Sequence, residues 1–577
     1  MDQPKINLDF YSGEDLYSDG SIENEILDIV KSNNDFSKIL AADKRWPVLY
    51  HLSPLRRNLL EWYDFDSSAS LLEIGAGCGA LTGLFCEKVE EVVAVELSKR
   101  RAEVIANWHK DKSNLEIVVG NLNDISFDKK FDYITLIGVL EYAGKYTGTD
   151  NPYYNFLVQI KKYLTPEGTL IVAIENKFGL KYWAGAKEDH NGKYFDSIEN
   201  YLDDSSIKTF GRAELEDLLN LAGFKTVKFY YPMPDYKLPI QVFSDDFLPD
   251  IGQIFGISPN YDNERMVLFN EATAYDNIII NKQFDFFANS FLLFCNNSGK
   301  RPDTVYSKFN RERLPAFQIE TSIYREKEKL GVLKKPLTSE AKGHIASLHN
   351  NYELLKDHYR NIKIADAQYR DENIVFEFVN GESLDRLLVE SVFKRDISQF
   401  YLLLDRFVDS VRSFPLSEGD DSGNNEDSSG IFGDFTGITS CDYLEIANID
   451  LRLDNIILNE DNIFEIFDYE WVFNFSIPVN FVIFRNIEAF CGKYTEYIKD
   501  FISLQELLDR YKISNAEIKI YRRMEKIFQA YVMGKSEDYM IKKAYKKPLV
   551  LFRKRKYKLR DILKRPRLLF GKSITLP

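Results

Sequence analysis

Short apolar runs alternate with amphipathic stretches over the first half of the chain, and that alternation changes character near residue 300. Leu71, Leu72 and Ile74 form a run bounded by glycine and too short for a helix, so it reads as a buried parallel strand. Leu81, Leu84 and Phe85 then follow helical spacing, and 92–95 is a second strand-like run. The same reading predicts a helix at 99–109, strands at 115–119 and 131–138, and a helix at 152–164. A turn at 166–168 leads to a strand at 169–174, then a helix at 212–223, a strand at 225–231 and an antiparallel last strand at 289–295. Together these are an α/β, Rossmann-like doubly wound sheet over residues 71–300. Segments 175–210 and 232–288 are too long for plain connections, and both follow strand ends, where such sheets bind ligands. Residues 1–70 read as a helical leader, with helices at 21–31 and 54–62 and with Tyr50 a candidate to line a covered pocket.

Beyond residue 309 the pattern is α+β. Stretches 317–324 and 328–333 read as a β-hairpin running into Lys334 and Lys335. A helix follows with Ala341, Ile345, Leu348, Tyr352 and Leu355 on one face, then a strand at 373–379 and a helix at 396–414. Residues 417–430 are an acidic, glycine-rich loop whose composition favours disorder. After a polar and apolar stretch at 448–471 the chain looks helical, as at 503–511 and 516–532. The predicted domains are therefore 1–70, 71–300, 309–480 and 481–577.

Charge changes the picture at the end of the chain. The 577 residues carry a net charge of −15, yet 542–572 hold fourteen Lys or Arg against one acid, Asp561. An acidic body argues against nucleic acid as its partner, and the tail's interleaved Leu, Val, Phe and Tyr favour an anionic membrane surface or an acidic protein for 541–577. No apolar run reaches the length of a membrane span, and the first residues carry no secretion signal, so a cytoplasmic protein is expected. Five scattered cysteines show no metal-ligand spacing.

The first chemistry-bearing stretch is 71–96. Strand, Gly75-x-Gly77-x-Gly79, helix, strand and then Glu96 make a nucleotide-binding βαβ unit. The glycines let the backbone approach a ligand, and Glu96 is placed to accept hydrogen bonds from ribose hydroxyls. The G-x-G-x-G spacing differs from the dinucleotide pattern and there is no Walker lysine. Glu73-x-Gly-x-Gly-x-Gly followed by Val-Ala-Val-Glu resembles the first two motifs of class I S-adenosylmethionine-dependent methyltransferases. That resemblance implies that Glu73 orders the turn, that Gly75, Gly77, Gly79 and Glu96 bind the cofactor, and that Asn121 meets the adenine. In segment 175–210, His190 is a candidate general base or else a structural loop residue. No acid–base dyad is visible in this half, which leans toward an already anionic methyl acceptor such as a phosphate monoester, with Lys177, Lys181 and Lys187 as its partners.

The second stretch, 448–471, resembles the catalytic core of the protein-kinase-like superfamily in its aminoglycoside- and sugar-kinase branch. Asp450 and Asn455 stand five apart, and Asp468 follows thirteen later after a two-stranded apolar pattern. The resemblance implies Asp450 as the hydroxyl-orienting base, Asn455 and Asp468 as ligands of Mg2+, and ATP as phosphate donor. Lys334, nineteen before Glu353, suits the lysine–glutamate pair of kinases, with Lys335 and Glu340 as rivals. Asn448 stands where that loop usually has His, and no glycine-rich loop precedes Lys334.

A methyltransferase followed by a small-molecule-type kinase resembles the bifunctional kinase–methyltransferases that terminate bacterial O-antigen polysaccharides. The resemblance implies a surface-glycan acceptor, glycan-synthesis enzymes as partners and a place at the inner membrane face. A methyltransferase with an inactive kinase-like domain, and an RNA methyltransferase, stay open as alternatives. The asparagine-proline catalytic motif of rRNA adenine dimethylases is missing, since 138–142 reads GVLEY.

Overall fold

The computed structural model describes residues 4–534 apart from 16, 44, 203–205, 255–264, 266–267, 418–425, 436–437 and 439–441. The basic tail lies outside the described residues, as does much of the predicted acidic loop, of which Glu426–Phe432 is a helix. The chain divides into two compact units, Met1–Tyr306 and Ser307–Tyr539.

In the first unit the strands are β1 (Lys5–Asn7), β2 (Ser70–Ile74), β3 (Glu91–Glu96), β4 (Leu115–Val119), β5 (Phe131–Ile137), β6 (Leu164–Glu175), β7 (Thr226–Met233), β8 (Gln241–Ser244) and β9 (Ser290–Asn296). They lie in the order β1-β4-β3-β2-β5-β6-β9-β7-β8. The first six of that order pair in parallel, and β9 runs antiparallel to both β6 and β7. Helices on both faces explain the unbroken apolar runs. Leu72 and Ile74 share a core with Leu157, Ile160, Leu215 and Leu219 of helices Pro152–Lys162 and Arg212–Leu221. Each such side chain, fully buried, contributes about 1.5–3 kcal/mol.

The leader belongs to this unit. Ile26 and Val30 of helix Ile22–Ser32 pack with Leu40, Val48, Leu52 and Val104. The helix predicted at 54–62 is instead a short 3-10 turn, Pro54–Leu59, preceded by an α-helix, Trp46–Leu52, that the pattern did not reveal. Pro54 follows Ser53, whose hydroxyl accepts from the Leu55 N–H and starts a new turn there. Strand β1 is three residues long and carries no alternation to read. The predicted turn at 166–168 is absorbed into β6, at the cost of a register shift against β5.

The second unit holds an antiparallel sheet of Ile319–Glu326, Lys329–Pro336, Asn373–Glu377 and Ala367–Arg370. Helix Lys342–His358 buries Ile345, Leu348 and Leu355. A hairpin of Ile456–Leu458 and Phe464–Ile466 stands between Glu382–Ser383 and Lys363–Ile364. The break expected at 480 does not occur. Asn486, on helix Val479–Lys493, accepts from the Leu453 N–H at 2.9 Å and donates to the Leu451 carbonyl at 2.7 Å, which ties that helix to the loop before the hairpin. Among the described residues no helix is long and apolar enough to cross a membrane.

Candidate functional site

At the end of β2 the chain turns through Gly75, Gly77 and Gly79, with φ of +73°, +58° and +87°. The Gly75 and Ala76 N–H groups both donate to the Val95 carbonyl, at 2.9 and 3.1 Å, which fixes the turn against β3. A Cβ on Gly75 would meet Val139 Cγ2 at 2.5 Å, so only glycine fits there. At Gly77 nothing stands within 4 Å of where a Cβ would point. Glu96, the last residue of β3, accepts from the Gly77 N–H at 2.8 Å through Oε2 and from the Ser98 N–H at 3.1 Å through Oε1. Burial raises its carboxyl above the ordinary value, opposed by Arg101. Glu73 accepts from the Thr82 hydroxyl at 2.6 Å, and burial pushes its carboxyl up to about 8. Glu73 thus braces the turn from beneath.

Glu73, Gly75, Gly77 and Glu96 line one cavity of about 430 Å³, a volume suited to a small ligand, whereas Gly79, expected to bind the cofactor, is not part of its lining and meets His109 instead. Asn121 lines it too, its amide oxygen accepting from the Asn123 N–H at 3.0 Å. Tyr17, Trp46, Tyr50 and His51 from the leader also line it, so Tyr50 stands where the pattern placed it.

A second group of acidic residues lines the same cavity. Glu141 follows β5, Glu175 ends β6 and His190 comes from the long segment after β6. One ligand atom from each lies within 4.8 Å of the others. Glu175 Oε1 accepts from Lys237 Nζ at 2.8 Å and from the Tyr236 hydroxyl at 3.2 Å. His190 Nδ1 lies 3.1 Å from the Tyr142 hydroxyl, and its Nε2 is 3.6 Å from Glu175 Oε2. Burial, with Glu175 next, raises the Glu141 carboxyl. Burial works against a charged His190, yet the charge of Glu175, 3.6 Å away, raises its pKa. Against the same burial, Lys237 and His190 hold Glu175 below the ordinary carboxylate range.

The sequence pattern pointed to His190 but missed Glu141 and Glu175. Glu175 ends β6 and Glu141 lies four residues past β5, and only the pairing of those two strands brings them together. This triad removes the reason for expecting an anionic acceptor, which was the lack of an acid–base group. Two of the three lysines assigned to that anion are also engaged, while Lys187 is exposed. Lys177 holds Glu214 at 2.7 Å, and Lys181 holds Asp189 at 2.9 Å.

Residues 48–228 match the family model of a methyltransferase domain. Among curated relatives, a ribosomal RNA small subunit methyltransferase A of Streptococcus equi subsp. zooepidemicus is 32% identical over 62 residues, covering 11% of this chain and 21% of that protein. A ubiquinone biosynthesis O-methyltransferase of Pelagibacter ubique is 28% identical over 166 residues, covering 26% of this chain and 65% of that protein. The chain thus spans between a fifth and two thirds of the length of these two relatives. Among solved structures, phosphoethanolamine N-methyltransferase 1 of Haemonchus contortus has a TM-score of 0.27 at 13% identity, covering 49% of this chain and 50% of that one. A methyltransferase in complex with the Haloferax volcanii Trm112 activator has a TM-score of 0.28 at 17% identity, covering 46% of this chain and 98% of that one. Within the methyltransferase domain fall the glycine turn, Glu96, Asn121 and the triad Glu141, Glu175 and His190.

The second unit gathers its own charged cluster. Buried Lys334 donates to Asp468 Oδ1 at 2.7 Å and to Glu470 Oε1 at 2.8 Å. Burial opposes the charge, yet those two acids hold its ammonium above the usual lysine range. Arg313 Nη1 reaches Glu470 Oε2 at 2.5 Å. The Phe467 N–H donates to the Asn455 carbonyl at 3.4 Å, so Asn455 and Asp468 are neighbours in space. Asn455 Nδ2 donates to the Asp450 carbonyl at 2.9 Å, and burial, with Asp468 and Glu470, raises the Asp450 carboxyl. Lys334, Asp450, Asn455 and Asp468 therefore converge.

Glu353 does not join them. It is 48% exposed and pairs with Lys356 at 2.6 Å. Helix Lys342–His358 turns Asn351 and Leu355 inward, which sends residue 353 to the outer face. Its expected place beside Lys334 is taken by Glu470, which sequence spacing did not single out as the lysine's partner.

Proposed function

We propose that the methyltransferase domain uses S-adenosylmethionine to methylate a hydroxyl acceptor. The observation that carries this is one cavity lined both by Gly75, Gly77 and Glu96 and by Glu141, Glu175 and His190. The open side of Gly77 gives a ligand backbone access, and Glu96 offers carboxylate oxygens at ribose distance from that turn. When bound, S-adenosylmethionine supplies an electrophilic methyl group. The chain's own residues then position the acceptor, exclude water beneath the leader, and take the hydroxyl proton at the triad.

The second unit supports a kinase reading. Lys334 would neutralise phosphate, Asn455 and Asp468 would hold Mg2+ with ATP, and Asp450 would orient the attacking hydroxyl. The reading for the whole chain is a bifunctional enzyme that caps a bacterial surface polysaccharide, docked through its basic tail at an anionic membrane surface. Incubating the full chain with methyl-labelled S-adenosylmethionine, ATP and surface polysaccharide should label the glycan. Label on RNA and none on glycan would replace the glycan reading with an RNA methyltransferase.

A further inference from the structure

The acidic group of the cavity has a feature that acid–base chemistry leaves unexplained. Glu141 is 1% exposed, and neither of its carboxylate oxygens has a hydrogen-bond partner. Glu175 Oε2 and His190 Nε2 also lack one. An unsatisfied buried carboxylate is costly, and here Glu141 has one ligand atom each from Glu175 and His190 within 4.8 Å, while His190 Nε2 stands 3.6 Å from Glu175 Oε2, beyond hydrogen-bond distance.

The remaining polar atoms of two of these side chains are held from outside. Glu175 Oε1 takes Lys237 and Tyr236, and His190 Nδ1 faces Tyr142. The His190 backbone is fixed as well, because Glu188 Oε2 accepts from the His190 and Asn191 N–H groups at 2.8 Å. Outer atoms restrained and inner atoms without hydrogen bonds is the arrangement that orients metal ligands. Charge agrees, since Glu141, Glu175, Asp189 and Asp235 outnumber Lys181 and Lys237 among the residues here.

We propose that Glu141, Glu175 and His190 bind one divalent transition-metal ion of the Mn2+ or Zn2+ class. Two carboxylate oxygens and an imidazole nitrogen are a mixed set that suits those ions better than Mg2+ or Ca2+. Ligand atoms on an ion at about 2.1 Å sit roughly 3–4 Å apart, so a small closure of the triad completes the site. Three protein ligands leave a position open to the cavity, where an acceptor hydroxyl oxygen would bind and become more acidic. That use of the ion rests on the methyltransferase reading; the binding itself does not.

The test is titration of Mn2+ into the full chain without nucleotide, followed by paramagnetic resonance of free Mn2+, with Zn2+ competition. One Mn2+ per chain is expected, displaced by Zn2+. Glu141→Gln and His190→Gln should each weaken it at least about tenfold, whereas Glu353→Ala, at an exposed position of the other unit, should leave it unchanged. Calorimetry of S-adenosylmethionine with the same preparations checks folding and separates the two claims. Cofactor binding without Mn2+ binding, or Mn2+ binding that survives both triad substitutions, overturns the metal site and leaves the methyltransferase reading standing. Mn2+ binding that the triad substitutions remove, without cofactor binding in the wild type, sustains the site and removes that reading.

Discussion

His109 donates from Nε2 to the Gly79 carbonyl at 2.8 Å, so a buried imidazole holds the last glycine of the turn. The ring leaves no room beside it, since a Cβ on Gly83 would meet His109 Cε1 at 2.6 Å. Burial pushes the His109 pKa down to about 4 from its ordinary 6.5. A folded pKa below the unfolded one gives stability that is present above pH 6.5 and lost as pH falls toward 4, with a slope of up to about 1.4 kcal/mol per pH unit. The melting transition of the first unit should therefore fall over that window, and more gently in His109→Gln, whose amide can still donate. Parallel pH profiles for the two proteins would remove His109 as the cause.

Gly77 and Glu96 carry the cofactor prediction. At φ +58°, Gly77 faces open space, so a tryptophan there would project where a ligand must lie. Gly77→Trp should abolish S-adenosylmethionine binding. Glu96→Ala, which loses a charged hydrogen-bond acceptor worth about 1.5–3 kcal/mol, should weaken binding roughly tenfold to a hundredfold. Calorimetry that finds unchanged affinity in both variants would refute the assignment.

These two residues were legible in the sequence because strand, glycine turn, helix and strand are consecutive and each has its own period. Glu141 and Glu175 were not. They meet only because β5 pairs with β6, and no local pattern records that pairing. Glu353 failed for a related reason. Its spacing from Lys334 was right, but helical phase decides which face a residue occupies, and the inward positions went to Asn351 and Leu355. The fold of the first unit was read closely where an apolar run marks the element, as in β2, β3 and β4, and poorly where none does, as in β1 and Pro54–Leu59.

The kinase reading stands or falls on the second cluster. Asp468→Ala removes one of the two acids that hold Lys334, and Asp450→Asn removes a buried carboxyl beside it. The first should eliminate metal-dependent ATP turnover, and the second should slow it by at least about a hundredfold. Glu353→Ala should leave turnover unchanged, because that side chain faces away with Lys356. Wild-type protein that neither binds nor turns over ATP would remove the kinase reading.

For the tail, each Lys or Arg near an anionic surface contributes about 1 kcal/mol, so a fraction of the fourteen suffices for reversible docking. Deleting 541–577 should move the protein from anionic vesicles into the supernatant without loss of soluble-acceptor turnover. Full-length protein that ignores such vesicles would point the tail to an acidic protein partner.

The last prediction concerns the order of the two reactions. A phosphorylated acceptor would suit a methyltransferase with no means to take a proton, whereas on the proposed reading Glu141, Glu175 and His190 supply one. They also make the site unfavourable to a bare phosphate, because Lys181 and Lys237 are already paired with Asp189 and Glu175. A neutral hydroxyl enters such a site without charge repulsion. Methylation should therefore not need prior phosphorylation, and Asp468→Ala should methylate unphosphorylated glycan at the wild-type rate. Glu141→Gln should lose methylation by roughly a hundredfold or more while ATP turnover continues. The measurement is methyl incorporation into glycan with and without ATP, for both variants. Incorporation that appears only with ATP in the wild type, and never in Asp468→Ala, would restore a kinase-first sequence and require a phosphate site elsewhere in the cavity.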